Sequence, residues 1–156
     1  MTIYFYTRTD EYGDFCNFSW HGFELDGKYW RTVEHYFQAQ KFEGTDHEET
    51  VRRARTPGDA KGLGRSKSIS LRSDWESVKD HIMYQAVLRK FETHEDLRDR
   101  LMQTEDDELV ESAPGDYYWG CGADGTGQNK LGKILMDVRS KLRGQQKEDV
   151  NSQNAT

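Results

Sequence analysis

Eleven consecutive residues constrain this chain more than any other stretch: Thr32-Val33-Glu34-His35-Tyr36-Phe37-Gln38-Ala39-Gln40-Lys41-Phe42. The spacing predicts a helix over 32–42. Thr32 is a natural N-cap, so Glu34 falls in the first turn, where the helix dipole favours a negative charge. Glu34, Gln38 and Lys41 stand at i, i+4 and i+7 and share one face. Val33, Phe37 and Phe42 can then face a core while the polar stripe faces a cleft. Spacing alone also allows an ordinary surface helix on which Glu34 only complements the dipole.

Around this helix the chain alternates short strand and helix signals. Ile3 to Tyr6 reads as a strand, and Asp26-Gly27 between Leu25 and Tyr29 reads as a tight hairpin within 23–30. Thr45-Asp46-His47-Glu48 has capping-box spacing and predicts a helix ending before Pro57. A short helix fits 57–63. Ser73-Asp74-Trp75-Glu76 is a second capping box, opening a helix with Trp75, Val78, Ile82, Ala86 and Phe91 inward. Thr93 predicts the start of another helix reaching about Gln103, and Leu109-Val110 a short strand. Leu131, Ile134, Leu135, Val138 and Leu142 recur with helical period. The Gln/Asn/Ser-rich residues 144–156 are expected to be a disordered tail beyond a domain spanning 1–143. The order implies one α+β domain, mainly helical, packed around a small antiparallel sheet.

Composition narrows the function classes. Aromatic residues make up 12% of a chain in which charged residues reach 32%, so rings must supply much of the core or the site. No stretch approaches the roughly 18 apolar residues of a membrane span, and no basic-then-apolar leader opens the chain. Cys16 and Cys121 form no metal-type pair and read as free thiols in a reducing compartment. A cytoplasmic location is therefore expected, with the nucleus an option in a eukaryote. Residues 51–72 hold Arg52, Arg53, Arg55, Lys61, Arg65, Lys67 and Arg72 against Asp59 alone, a net +6 within a chain of −6. That window is either a solvated face or a site for a phosphate-bearing ligand. A general nucleic-acid coat fits less well, since the rest of the surface would repel a long polyanion.

Two motifs tempt and fail. Gly120-x-Gly122-x-x-Gly125 matches the dinucleotide fingerprint, but only one helix and a tail follow it, so no βαβ unit exists. Gln128-Asn129 stands where a P-loop needs Lys and Ser or Thr. The glycines between 115 and 127 can still aim backbone N–H groups at an anion, or form a plain flexible loop. His21, His35, His47, His81 and His94 show no ligand spacing, so neither a metal nor another cofactor is expected.

The segment Trp30 to Phe42, W-x-T-x-E-H-Y-F-Q-A-Q-K-F, resembles the signature of the NADAR domain family, which includes the YbiA-type N-glycosidases. Tyr4-Phe5-Tyr6 with Tyr12-Gly13-Asp14-Phe15-Cys16-Asn17-Phe18 resembles its N-terminal aromatic strand and F-S-N-F turn, with Cys16 in place of the usual Ser. Ala60-Lys61-Gly62-Leu63-Gly64-Arg65, Arg72-Ser73-Asp74-Trp75-Glu76-Ser77-Val78-Lys79, Tyr118-Trp119-Gly120 and Gly125 to Gly132 resemble further family segments in order. Together they run from about residue 4 to 143.

The resemblance implies cleavage of the bond between a ribose C1 and an exocyclic amine of a base. The substrate would be a phosphorylated ribosylamino-pyrimidine of riboflavin synthesis, or ADP-ribosylated guanine in DNA or RNA. No membrane is involved on this reading. Glu34 would stabilise an oxocarbenium-like carbon and activate water, or a lysine would attack C1 and form a Schiff base. Lys61, amid cationic neighbours expected to lower its pKa, is the preferred amine and Lys41 the second. Asp116 could hold a base or ribose hydroxyl, with Asp124 its competitor. Trp119 and Trp75 are the candidates for stacking on the base, although Trp75 serves equally well as a core anchor. Asn17 could donate to the ligand. Phe18, Arg65, Gly120 and Asn129 complete the expected substrate-binding set through their motif positions. The rival reading is a non-catalytic ADP-ribose or nucleotide-binding module.

Overall fold

The computed structural model describes residues 1–155. Strand β1 (Thr2–Phe5) and β4 (Glu108–Glu111) form one two-stranded ladder, and β2 (Phe23–Leu25) and β3 (Lys28–Trp30) another. Six helices surround them: α1 (Val33–Gln40), α2 (Asp46–Arg52), α3 (Pro57–Gly64), α4 (Trp75–Thr93), α5 (Glu95–Gln103) and α6 (Lys130–Asn154). The domain is α+β and mainly helical. The expected single antiparallel sheet is instead two ladders, and only the hairpin is antiparallel. Its turn residues Asp26 (φ 55°) and Gly27 (φ 76°) both take the left-handed conformation that a two-residue hairpin loop requires. Strands β1 and β4 pair in parallel, from Thr2 opposite Glu108 to Phe5 opposite Glu111. All five intervening helices provide the crossover that a parallel pair needs.

Helix α1 lies at the centre, packed by α2, α3, α4 and β3, and every one of its residues is buried. It is thus not an amphipathic surface helix. Thr32 caps it by accepting the His35 N–H, and the His35 ring is tied to Thr32 Oγ1 (2.7 Å) and the Ala54 carbonyl (3.0 Å). That histidine is structural. The capping boxes fare differently from expectation. Thr45 spends its hydroxyl on the Phe42 carbonyl, and Glu48 takes the Gly44 N–H. Helix α4 starts one residue later than Ser73 predicts, with Asp74 as its N-cap and that carboxylate paired to Arg72.

Helix α6 buries Leu131, Ile134, Leu135, Val138 and Leu142 against α4 and β4. It then continues to Asn154, where a disordered tail was expected; Thr156 lies outside the described residues. Beyond Gln145 the extension is exposed throughout and rests on the helical propensity of its Gln, Lys and Glu residues rather than on packing. Among the described residues no helix is long and apolar enough to cross a membrane.

Candidate active site

Helix α1 carries Glu34, Phe37 and Gln38 into a cleft of about 720 Å³, and Lys41 follows at its C-cap. Helix α3 adds Lys61 and, at its C-cap, Arg65, and α4 adds Met83. The turn after the short 3-10 helix Gly13–Phe15 supplies Cys16, Asn17 and Phe18. Glu111 enters from the end of β4, and Asp116 and Trp119 from the loop behind it.

Local bonds set these positions. The Glu34 N–H donates to the Asn17 carbonyl (3.2 Å), which docks the Phe18 turn on the start of α1. From α4, the buried Lys90 Nζ donates to the carbonyls of Asp14 (2.6 Å) and Cys16 (3.0 Å) and holds the same turn from behind. Burial pulls the Lys90 ammonium down to about 8, against the opposing influence of Cys16 and Asp14. Asn17 Nδ2 points at the Met83 sulfur, 3.6 Å away. Asp116 Oδ1 accepts the N–H groups of Tyr118 (2.9 Å) and Trp119 (2.8 Å), so this carboxylate shapes the turn that presents Trp119.

Glu34 is 6% exposed, and its Oε1 accepts from Gln38 Nε2 at 2.8 Å. Burial raises its pKa above the usual carboxylate range, opposed by that hydrogen bond and by Lys61, Lys41 and Arg65. Lys41 moves the other way. Burial lowers its pKa, Glu34 resists, and Arg65 and Lys79 add to the lowering. Its Nζ sits 5.8 Å from the Phe37 ring and 5.9 Å from the Trp75 ring. Lys61 Nζ lies 5.8 Å from the Phe18 ring. The charges of Lys61 act on the carboxylates of Glu34 and Glu111, so its surroundings are not simply the cationic ones expected.

Eight of the expected residues therefore meet in one cleft: Glu34, Lys61, Asp116, Asn17, Phe18, Lys41, Arg65 and Trp119. Four do not line it. Trp75 is buried beneath Phe37, with ring centroids 5.1 Å apart, and backs the cleft rather than facing it. Gly120 is buried in the turn, its carbonyl accepting the Asn129 N–H. Asp124 is exposed and closes its own turn through Thr126. Asn129, in the left-handed conformation, spends its side chain on the Glu111 N–H (3.0 Å) and the Leu109 carbonyl (3.0 Å).

Nor is the start of α6 open to an anion. The N–H groups of Gln128, Asn129, Lys130 and Leu131 donate to the carbonyls of residues 117–120, which fill the start of α6. Three of the seven basic residues in the 51–72 window are spent in ion pairs as well. Arg52 and Arg53 pair with Glu49, and Arg72 with Glu43 and Asp74. Only Lys61 and Arg65 of that window line the cleft.

Sequence reasoning missed Arg8 and Glu111, which also line it. The one available signal for Glu111 was an acid directly after the apolar pair Leu109-Val110, at the mouth of the loop leading to Asp116. Nothing in the local pattern marks Arg8.

Residues 4–143 match the family model described as the NADAR domain. The chain is 51% identical over 146 residues to the N-glycosidase Npun_R5314 of Nostoc punctiforme, covering 92% of this chain and 94% of that one. It is 47% identical over 140 residues to the N-glycosidase YbiA of Escherichia coli, covering 90% and 88%. The solved NMR structure of E. coli YbiA superposes with a TM-score of 0.87 at 46% identity, over 94% of this chain and 88% of the other. A riboflavin biosynthesis protein of Zea mays, PYRR, is 40% identical over 157 residues, covering 91% of this chain and 25% of its own length. The chain belongs to the NADAR domain family, among its N-glycosidases.

Proposed function

We propose that this cleft hydrolyses the bond joining ribose C1 to an exocyclic amine of a base. The observation that carries the reading is Glu34: a buried carboxylate, oriented by Gln38, with three cations around it and the rings of Phe18 and Trp119 on the same cleft. A mere binding module has no use for such a group, because burying a carboxylate is costly. An enzyme that must activate water or shield a cationic carbon has one.

In the water route the C1–N bond breaks, its electron pair moves to nitrogen, and water adds to C1 while Glu34 takes the water proton. In the lysine route the ring C1–O bond opens, a lysine amine adds to C1, and the C1–N bond to the base breaks with its electron pair and a proton passing to the base nitrogen. Water then hydrolyses the lysine Schiff base that remains. Trp119 supplies a face for the base, while Lys61, Arg65 and Arg8 are the cations available to a phosphate.

Only Lys61 and Arg65 of the seven basic residues in the 51–72 window line the cleft, so the charge of that window does not itself call for a diphosphate. A phosphorylated ribosylamino-pyrimidine is the first substrate to test, and the riboflavin-pathway name of the maize relative supports it. ADP-ribosylated guanine is the second, since about 720 Å³ lies in the upper part of the range for small-molecule sites. Incubating the protein with each and following free base by chromatography decides between them. Release from the pyrimidine substrate alone is expected; release from neither would overturn the reading.

A further inference from the structure

Glu111 ends β4 with its backbone held on both sides. Its N–H donates to Asn129 Oδ1 at 3.0 Å, and its carbonyl accepts from Cys121 N at 2.8 Å. The side chain is treated differently. It enters the cleft, and its Oε2 is buried without any hydrogen-bond partner. Leaving a buried carboxyl oxygen unpaired is unfavourable, so an atom that goes unmatched at a reaction cleft points to a partner brought by the ligand. Removing this side chain from water would serve no packing purpose that an apolar residue could not serve better.

The reaction needs a group of this kind. An exocyclic amine is a poor leaving group as an anion and departs readily once protonated. Glu34 faces the cleft from α1 and is suited to receive a proton from water, and Glu111 comes from a separate element, β4. Paired carboxyl groups that flank a glycosidic bond divide the work of base and acid in this way. Resting on the N-glycosidase reading above, we infer that Glu111 is the general acid of this site. Its carboxyl proton passes to the exocyclic nitrogen as the C1–N bond breaks and the bonding pair moves onto nitrogen. Water adds to C1 and gives a proton to Glu34. Solvent then reprotonates Glu111 and removes the proton from Glu34, so the net change is water consumed and the free amine released. In the lysine route the same donor serves the same departure.

The charges around the group favour this role. Burial, Asp116 on the following loop and Glu34 on α1 keep its proton on, Lys61 on α3 opposes them, and the carboxyl is pushed up to about 7. Phe5, its strand partner on β1, and Asn129 at the start of α6 are neutral. A substantial share of the molecules therefore carries the proton near neutrality, as an acid catalyst requires.

The test is the pH profile of kcat/KM for wild type, Glu111→Gln and Glu111→Asp on a 5-phosphoribosyl group linked to the exocyclic amine of a pyrimidine. Wild type should lose activity as pH rises through about 7 and the acid ionises. Glu111→Gln should fall by about a hundredfold or more and lose that alkaline limb, whereas Glu111→Asp should keep the limb at an intermediate rate. On 4-nitrophenyl riboside 5-phosphate, whose phenolate departs without a proton, Glu111→Gln should lose less than about tenfold. A glutamine variant that keeps the wild-type limb, or loses as much on both probes, would make Glu111 a hydroxyl-holding or structural residue and overturn the acid. Wild type that releases no base from this amine substrate or from ADP-ribosylated guanine would overturn the N-glycosidase reading itself.

Discussion

Gln38 Nε2 donates to Glu34 Oε1 at 2.8 Å, one turn along the same helix, so the candidate catalytic carboxylate is oriented by its own element. The other side of that amide meets α3. A Cβ at Gly64 would lie 2.1 Å from Gln38 Oε1 and 2.7 Å from its Cδ. Gly64→Ala must therefore displace the amide or separate the helices. It should cost roughly 1–3 kcal/mol in denaturant unfolding. It should also slow turnover by about tenfold or more, because a misaimed catalytic group loses rate steeply. Wild-type stability and rate in this variant would show that the contact between α1 and α3 does not aim Glu34.

The two tryptophans near Phe37 should separate cleanly. Trp75 is 6% exposed, while Trp119 is half-buried on the cleft with its ring edge-on to Phe37 at 5.3 Å. Trp75→Ala should lower unfolding stability by about 3–5 kcal/mol and leave the affinity of the folded fraction little changed. Trp119→Ala should weaken product-analogue binding by about 1–3 kcal/mol, measured by titration calorimetry, with a smaller loss of stability. The reverse pattern would exchange their roles.

Borohydride added during turnover separates the two chemical routes. If a lysine attacks C1, reduction fixes the sugar and raises the protein mass by the glycosyl fragment. We expect the adduct on Lys61, which lines the cleft together with Glu34 and Glu111. Lys61→Arg keeps the charge and should abolish it. An adduct on Lys41 would place the nucleophile at the end of α1, where burial favours the free amine. Turnover without any adduct would leave Glu34-activated water as the mechanism.

Local rules made much of this protein legible. The Thr32 cap, the Asp26-Gly27 turn and the apolar stripe of α6 each follow from a few neighbouring residues, and each is present. The parallel pairing of β1 with β4 was not legible, because it joins residues 106 positions apart with no local signature in either strand. The site divides in the same way. Residues on α1 and α3 could be placed by helical spacing and motif, and they do meet. Asn129 and Gly120 sit in a matching motif yet serve the backbone of β4 and the loop, a distinction that only three-dimensional partners reveal. Glu111 and Lys90 escaped notice for a related reason. Their importance lies in burial and in which polar atoms find partners, and neither quantity is local to the sequence.

The central claim is that Glu34 does chemistry, and substituting it with Gln tests this most directly. Glutamine matches the shape of the carboxyl side chain and can still bond Gln38, so Glu34→Gln should fold normally and bind product within several-fold of wild type. Single-turnover release of free base from the ribosylamino-pyrimidine phosphate should nonetheless fall by at least about a hundredfold. A folded Glu34→Gln protein that releases base at near wild-type rate would contradict the account.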